Sequence, residues 1–413
     1  MTLNDTPRGN RIHIGIFGRR NAGKSSLINA LTGQKLAIVS PTPGTTADPV
    51  FKSMELYPIG PVVFIDTAGF DDEGELGGLR VARTEETIAQ TDVAILVLDG
   101  TELAGFARLN EPALSLEQQW IGKLQTAEIP VIVTINKWDQ LNEAGKAVVQ
   151  ELIAAVPVSA KTGEGIEGLR SAIAAAVPDE ILQDQMTAGL IEDEGLALLV
   201  MPQNIQAPKG RLILPQVQTI RELLDRRCTV ISTTLDGLDR SLRSLGRVPD
   251  LIITDSQCFK EVYEKKPEQS RLTSFSILMA ASKGDIRAFA DGVSAIDDLT
   301  EEEPAPPLRV LIAEACTHVP QSEDIGTVKI PRLLRQKFGD RVEITNVRGK
   351  DFPEEEALKE YNLIIHCGAC MFNRRMVMGR IAAAQRAGVP ITNYGVFLAK
   401  MSGILDKISL PEI

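Results

Sequence analysis

Histidine is almost missing from this chain, with three residues in 413, and cysteine and tryptophan are scarce at five and two. Five cysteines are too few for a disulfide scaffold, so buried apolar area has to hold the fold. Long hydrophobic runs are also lacking. No apolar stretch approaches the roughly 18 residues that a membrane span needs, and the longest are strand-length pieces at 93–98 and 131–135. Basic charge is in deficit, 44 Lys+Arg against 55 Asp+Glu for a net charge of −11, which argues against a nucleic-acid or membrane-surface protein. No fixed-period repeat and no low-complexity tract occurs, which excludes solenoid arrays. The opening residues MTLNDTPRGN are polar where a signal peptide needs an apolar core, so a cytoplasmic location is expected.

What is present is ordinary globular composition, 44% hydrophobic and 24% charged, in a length that predicts two to four domains. Short β-branched runs at 12–17, 62–66, 93–98, 131–136 and 156–159 alternate with longer amphipathic stretches. This is the pattern of strands in a parallel sheet covered by helices, which binds ligands at the strand carboxyl ends. Pro178 closes this first unit, 1–178. A small α/β unit is expected over 183–267, with strands at 196–201, 229–232 and 251–254 and helices from about 215 and 234. A helix is read at 282–299, and EEEPAPP at 301–307 is a loop or linker. A third, doubly wound unit, 268–413, carries strands at 309–314, 342–346, 363–366 and 390–392 and helices at 328–338 and 374–387. The fold class is therefore α/β in three consecutive units.

Directly after the first strand, Gly18-Arg19-Arg20-Asn21-Ala22-Gly23-Lys24-Ser25 matches the phosphate-binding pattern G-x-x-x-x-G-K-[ST] in its required strand-to-helix context, with Ser26 continuing the turn. Glycines let the backbone wrap a polyphosphate, Lys24 meets the β and γ phosphates, and Ser25 ligates Mg2+. Asp66-Thr67-Ala68-Gly69 ends a second strand, placing a carboxylate near the magnesium and the Gly69 N–H toward the γ-phosphate. Asn136-Lys137-Trp138-Asp139 ends another, where the Asp139 carboxylate accepts from two guanine donors that adenine lacks. Ser159-Ala160-Lys161 would touch the base through backbone N–H groups. In Pro43-Gly44-Thr45-Thr46, Thr46 is favoured over Thr45 to complete the magnesium shell.

Five such elements in order point to GTP. The region resembles the translation-factor-like GTPases, most closely the branch containing MnmE and Era. The resemblance implies that Asn21 holds K+ beside the phosphates. Phe70 stands where Ras-type switches carry a water-orienting glutamine, so that residue cannot act here; Glu75, in the acidic loop that follows, is the candidate instead.

Two of the three histidines lie within two residues of a cysteine, in Cys316-Thr317-His318 and in His366-Cys367-Gly368-Ala369-Cys370, both at expected strand ends of the third unit. Three thiolates there select a soft metal, either zinc or an iron–sulfur cluster, with a thioredoxin-like redox pair as a weaker reading. Cys228 and Cys258 read as packing residues and His13 as structural. A P-loop GTPase followed much later by C-x-H and H-C-x-x-C resembles the HydF family, the maturation GTPases of FeFe-hydrogenase. For that family the resemblance implies a middle dimerisation domain and a 4Fe-4S cluster on Cys316, Cys367 and Cys370. It leaves His318, Glu323, Asp324 and His366 as candidates for the exchangeable fourth position. It further implies a homo-oligomer that accepts a di-iron precursor from radical-SAM maturases and passes it to the apo-hydrogenase. The competing reading is an RNA-associated GTPase with a structural metal site, against which the acidic charge counts.

Overall fold

The computed structural model of the chain describes residues 8–33, 49–72, 75–109, 114–182, 186–202, 212–298, 307–315 and 324–412. It divides into two compact units, Met1–Gln183 and Asp184–Ile413.

The first unit is a six-stranded sheet, formed by β1 (Ile12–Gly18), β2 (Val50–Leu56), β3 (Gly60–Asp66), β4 (Val93–Asp99), β5 (Val131–Asn136) and β6 (Val156–Pro157) in the order β2-β3-β1-β4-β5-β6. All neighbours are parallel except β2, which pairs antiparallel with β3. Side chains of a strand alternate between faces, and β4 shows this directly. Val93, Ile95 and Val97 enter one core with Ile14 and Leu27, while Ala94, Leu96 and Leu98 enter another with Phe17 and Trp120. Burial on both faces is what makes these strands read as continuous apolar runs. The edge strand β2 was not expected from the sequence, because Lys52, Ser53 and Glu55 dilute its pattern. Helices α1 (Lys24–Thr32), α2 (Glu75–Ile88), α3 (Gly100–Leu109) and α4 (Ser115–Thr126) belong to this unit.

The second unit holds two parallel four-stranded sheets. One is β7 (Leu196–Val200), β8 (Thr229–Thr233), β9 (Leu251–Thr254) and β10 (Arg271–Ser274), ordered β10-β9-β7-β8. The other is β11 (Leu308–Glu314), β12 (Val342–Arg348), β13 (Leu363–His366) and β14 (Ile391–Asn393), ordered β12-β11-β13-β14. Strand β10 pairs with β9, so the middle sheet runs past the boundary expected at 267/268. Leu198, Val200 and Ile252 share one core with Val310, Ile312 and Ile364, so the two sheets form a single hydrophobic body where the sequence suggested two separate ones. The helix expected at 282–299 is observed at Ile286–Asp298, and a separate helix, Phe275–Lys283, ends just before it at Gly284. The helix expected from 328 starts as one π-helical turn, Ile325–Lys329, capped by the Asp324 side chain, and becomes α-helical at Ile330. Among the described residues, no helix is long and apolar enough to cross a membrane.

Candidate nucleotide and cluster sites

The loop after β1 winds tightly before α1. Asn21 and Gly23 both take positive φ, 63° and 93°, and a Cβ on Gly23 would lie 2.1 Å from Asn136 Nδ2, so only glycine fits there. Lys24 is buried, with Nζ donating to the carbonyls of Gly18 and Arg19, each at 2.8 Å. Burial pushes its pKa down to about 8, against the pull of Asp66, Asp71 and Asp72. Ser25 Oγ donates to Asp66 Oδ2 at 2.6 Å. Burial raises the pKa of Asp66, and its second oxygen, Oδ1, is buried with no hydrogen-bond partner. An orphaned anionic oxygen beside a serine hydroxyl is a donor set suited to a hard divalent cation, so these residues fit Mg2+ bound with a nucleotide.

The base-reading loops are tied to this cradle. Asn136 Nδ2 donates to the Ala22 carbonyl at 2.9 Å, and its Oδ1 accepts from the Ala160 N–H at 3.0 Å. Asn136 thus joins the phosphate loop to the Ser159–Lys161 loop. Exposed Asp139 accepts from buried Ser159 Oγ at 2.7 Å, which orients its carboxylate. Lys137, at φ 62°, pairs with Asp99 at the end of β4. Burial acts to raise the Asp99 pKa, but hydrogen bonds from Lys137 and Thr101 outweigh it and the net shift is downward. Lys161 is exposed, and Ser26 lies half-buried on α1. Gly69 sits hard against the phosphate loop, since a Cβ there would be 2.8 Å from the Arg20 nitrogen. Phe70 is a core residue, stacked on Trp120 with centroids 5.1 Å apart. Thr45 and Thr46 lie outside the described residues, and so does the side chain of Glu75, where α2 begins.

Several contacts here were not read from the sequence. Asp99 stands at a strand end and could have been suspected on that ground. Glu117, whose carboxylate pairs with Arg19 of the phosphate loop at 2.5 Å, carries no local signal. Neither does Asp71, which accepts from the Arg20 N–H at 2.6 Å.

In the second unit, Cys367 follows β13 and Ala369 takes φ 51°. Cys367 Sγ accepts from the N–H groups of Ala315 at 3.0 Å and Ala369 at 3.4 Å. Burial pushes its thiol pKa up to about 11. Cys370 is half-buried three residues on, and Ala315 directly precedes Cys316 in sequence. Cys316, His318 and Glu323 lie outside the described residues, and among the described ones no group of three His, Cys, Asp or Glu is arranged to hold a metal ion.

His366 does not join the cysteines in this arrangement. Its buried ring points the other way, as alternation along a strand requires, and both nitrogens are engaged: Nδ1 with the Cys367 carbonyl at 2.8 Å and Nε2 with Arg380 Nη1 at 3.0 Å. A guanidinium only donates, so Nε2 is the acceptor and Nδ1 carries the proton. Burial, then the nearby Arg380, drives its pKa down to about 3. In this arrangement His366 is a buried imidazole with both ring nitrogens hydrogen-bonded. Asp324 is likewise occupied, capping the π-helical turn through the Thr327 N–H at 2.8 Å.

Arg380 itself is buried between the rings of Phe352 and Phe372 and donates to His366 and the Gly349 carbonyl, both neutral. A buried cation with neutral partners favours an anionic guest nearby. Together with a sulfur that two backbone N–H groups already face, this fits an anionic thiolate-held cluster at Cys367 and Cys370.

Residues 13–137 match the family described as "50S ribosome-binding GTPase". Residues 186–284 match "Hydrogen maturase F dimerization domain", and residues 287–410 match "Hydrogen maturase F tetramerization domain". The chain belongs to the HydF family. It therefore carries a GTPase domain joined to the oligomerisation domains of a hydrogen maturase. Curated relatives match about a third of the chain. GTPase Der of Sulfurimonas denitrificans is 38% identical over 141 residues, 33% of this chain and 26% of that protein. GTPase Der of Campylobacter jejuni subsp. jejuni serotype O:23/36 is 39% identical over 147 residues, 35% of this chain and 30% of that protein. The chain thus spans about a quarter to a third of the length of these relatives. Among solved structures, Era in complex with MgGDPNP and a 16S ribosomal RNA fragment is similar at 20% identity and a TM-score of 0.35, over 54% of this chain and 92% of that one.

Proposed function

We propose that this HydF-family chain is a GTP-hydrolysing scaffold that binds a 4Fe-4S cluster and carries the di-iron precursor of the FeFe-hydrogenase active site to the apo-hydrogenase. The observation that carries the reading is the union, in one chain, of a guanine-nucleotide cradle with two hydrogen-maturase domains covering 186–410. The cluster would be held by Cys316, Cys367 and Cys370, and it supplies an iron that accepts an exchangeable ligand. The chain's own part is to seat Cys367 under the Ala315 and Ala369 N–H groups and to place Arg380 as a nearby positive charge. The precursor would come from radical-SAM maturases, and the chain would work as a homo-oligomer in the cytoplasm.

Hydrolysis is expected to be slow and faster in K+ than in Na+, because Asn21 stands exposed at the cradle and core-packed Phe70 cannot orient water as a glutamine would. Equal rates in the two salts would remove Asn21 from that role. The carrier role is tested by mixing the reconstituted, precursor-loaded chain with apo-hydrogenase. Hydrogen evolution is expected from the wild type and not from Cys370→Ala; equal activation by both would contradict the reading.

A further inference from the structure

The two cysteines of the 367–370 loop are held by different parts of the second unit. Cys367 is fixed from the last sheet: its N–H donates to the Ala313 carbonyl at 2.9 Å, and its carbonyl accepts from His366 Nδ1 at 2.8 Å and from Asn393 Nδ2 at 3.3 Å. Cys370 instead packs against a core whose buried residues, among those described, all come from 186–279, including Phe275, Leu278 and Met279 of the helix Phe275–Lys283. That helix closes the segment matched as a dimerization domain. A second link joins the same two elements. The helix Arg374–Ala387 begins shortly after Cys370 and is capped by buried Asn373, whose Oδ1 accepts from the Met376 N–H at 3.3 Å. Its first residue, Arg374, reaches the end of Phe275–Lys283, where Nη1 lies 3.1 Å from the Ala281 carbonyl, 3.0 Å from that of Ser282 and 2.7 Å from that of Gly284. The last carbonyls of a helix have no partner within it, and a cation there also meets the negative end of the helix dipole.

We propose that Arg374 is a positioning residue for the cluster, mooring Cys370 to the end of the dimerization domain so that the placement of one ligand depends on that domain. Groups that orient a metal ligand from behind set how firmly the metal is held. Without Arg374 the three carbonyls lose this donor and the turn carrying Cys370 loses this polar tie, while Cys367 keeps its own contacts.

This role rests on the reading of Cys316, Cys367 and Cys370 as cluster ligands, and the test separates the two. In the metal-free full-length chain, iodoacetamide labelling of wild type, Arg374→Ala, Arg374→Lys and Arg386→Ala is followed by mass spectrometry, with buried Cys258 as internal reference. Arg374→Ala is expected to speed labelling of Cys370 about tenfold relative to Cys258, since losing charged hydrogen bonds lets the turn open more often. Arg374→Lys keeps a cation for the carbonyls and is expected to restore most of the wild-type rate. Arg386→Ala, on the same helix but paired with Glu355, is expected to leave that rate unchanged. After anaerobic reconstitution, Arg374→Ala should also release iron to a chelator faster and alter the electron paramagnetic resonance line shape of the reduced cluster, and Arg374→Lys should not. Labelling of Cys370 at the wild-type rate in Arg374→Ala, an equal acceleration at Cys258, or no rescue by Arg374→Lys would overturn the role of Arg374. Wild type that takes up no iron and sulfide would instead overturn the cluster reading, whatever the labelling shows.

Discussion

Asp139 lies exposed at the rim of the base site, yet its partner Ser159 is fully buried, so the reading carboxylate is aimed by a hydroxyl that cannot wander. Asp139→Asn is expected to weaken GTP by about 1.5–3 kcal/mol, the usual worth of a hydrogen bond to a charged group, or about ten- to a hundredfold in Kd. Unchanged affinity by calorimetry would take guanine recognition away from this residue. Cys258 is a different case, a thiol that burial, with Asp255 and Glu261 adding, pushes up to about 11 despite Lys329. A folded pKa above the unfolded one gives stability that is intact below about pH 9 and lost as pH rises toward 11. Urea unfolding under reducing conditions should therefore show wild type losing more stability than Cys258→Ala between those values; equal losses would contradict it.

Helix α4 contacts both nucleotide loops from one stripe. Glu117 holds Arg19 of the phosphate loop, and Trp120, one turn on, stacks on Phe70 after the Asp66–Gly69 segment and packs near Phe17. Lys123, a further turn along, pairs with Glu85 on α2. Trp120→Ala should cost about 3–5 kcal/mol, the range for deleting a large buried ring; a cost below about 1 kcal/mol by denaturant unfolding would mean that Phe70 is anchored elsewhere. The sequence made the strands of this unit legible, because strands buried on both faces are apolar throughout, and it made the phosphate loop legible, because glycine spacing is a backbone requirement. It did not reveal β2 or β10. β2 is an edge strand diluted with polar residues, and in β10 (Arg271–Ser274) a single leucine lies among polar side chains. Long-range pairs such as Arg19–Glu117 leave no local trace, since the partners are 98 residues apart.

At the scale of the whole molecule, two compact units carry two chemistries, a nucleotide cradle in 1–183 and a cysteine loop in 184–413. The sharing of one core by the middle and last sheets was hidden in the sequence, because apolar strand residues do not say which neighbour they face. The spacing of Cys367 and Cys370 can be seen in the sequence, but the burial of His366 cannot, since it is decided by packing against residues such as Arg380, 14 positions away. The central claim is that the second unit holds an iron–sulfur cluster. It is tested most directly by reconstituting wild type, Cys316→Ala, Cys367→Ala, Cys370→Ala and His366→Ala under strict anaerobiosis and counting iron, sulfide and zinc per chain. The account predicts about four iron and four sulfide in wild type, most of it lost in each cysteine variant and retained in His366→Ala. Zinc in place of iron, or a cluster that survives the loss of Cys367, would contradict it.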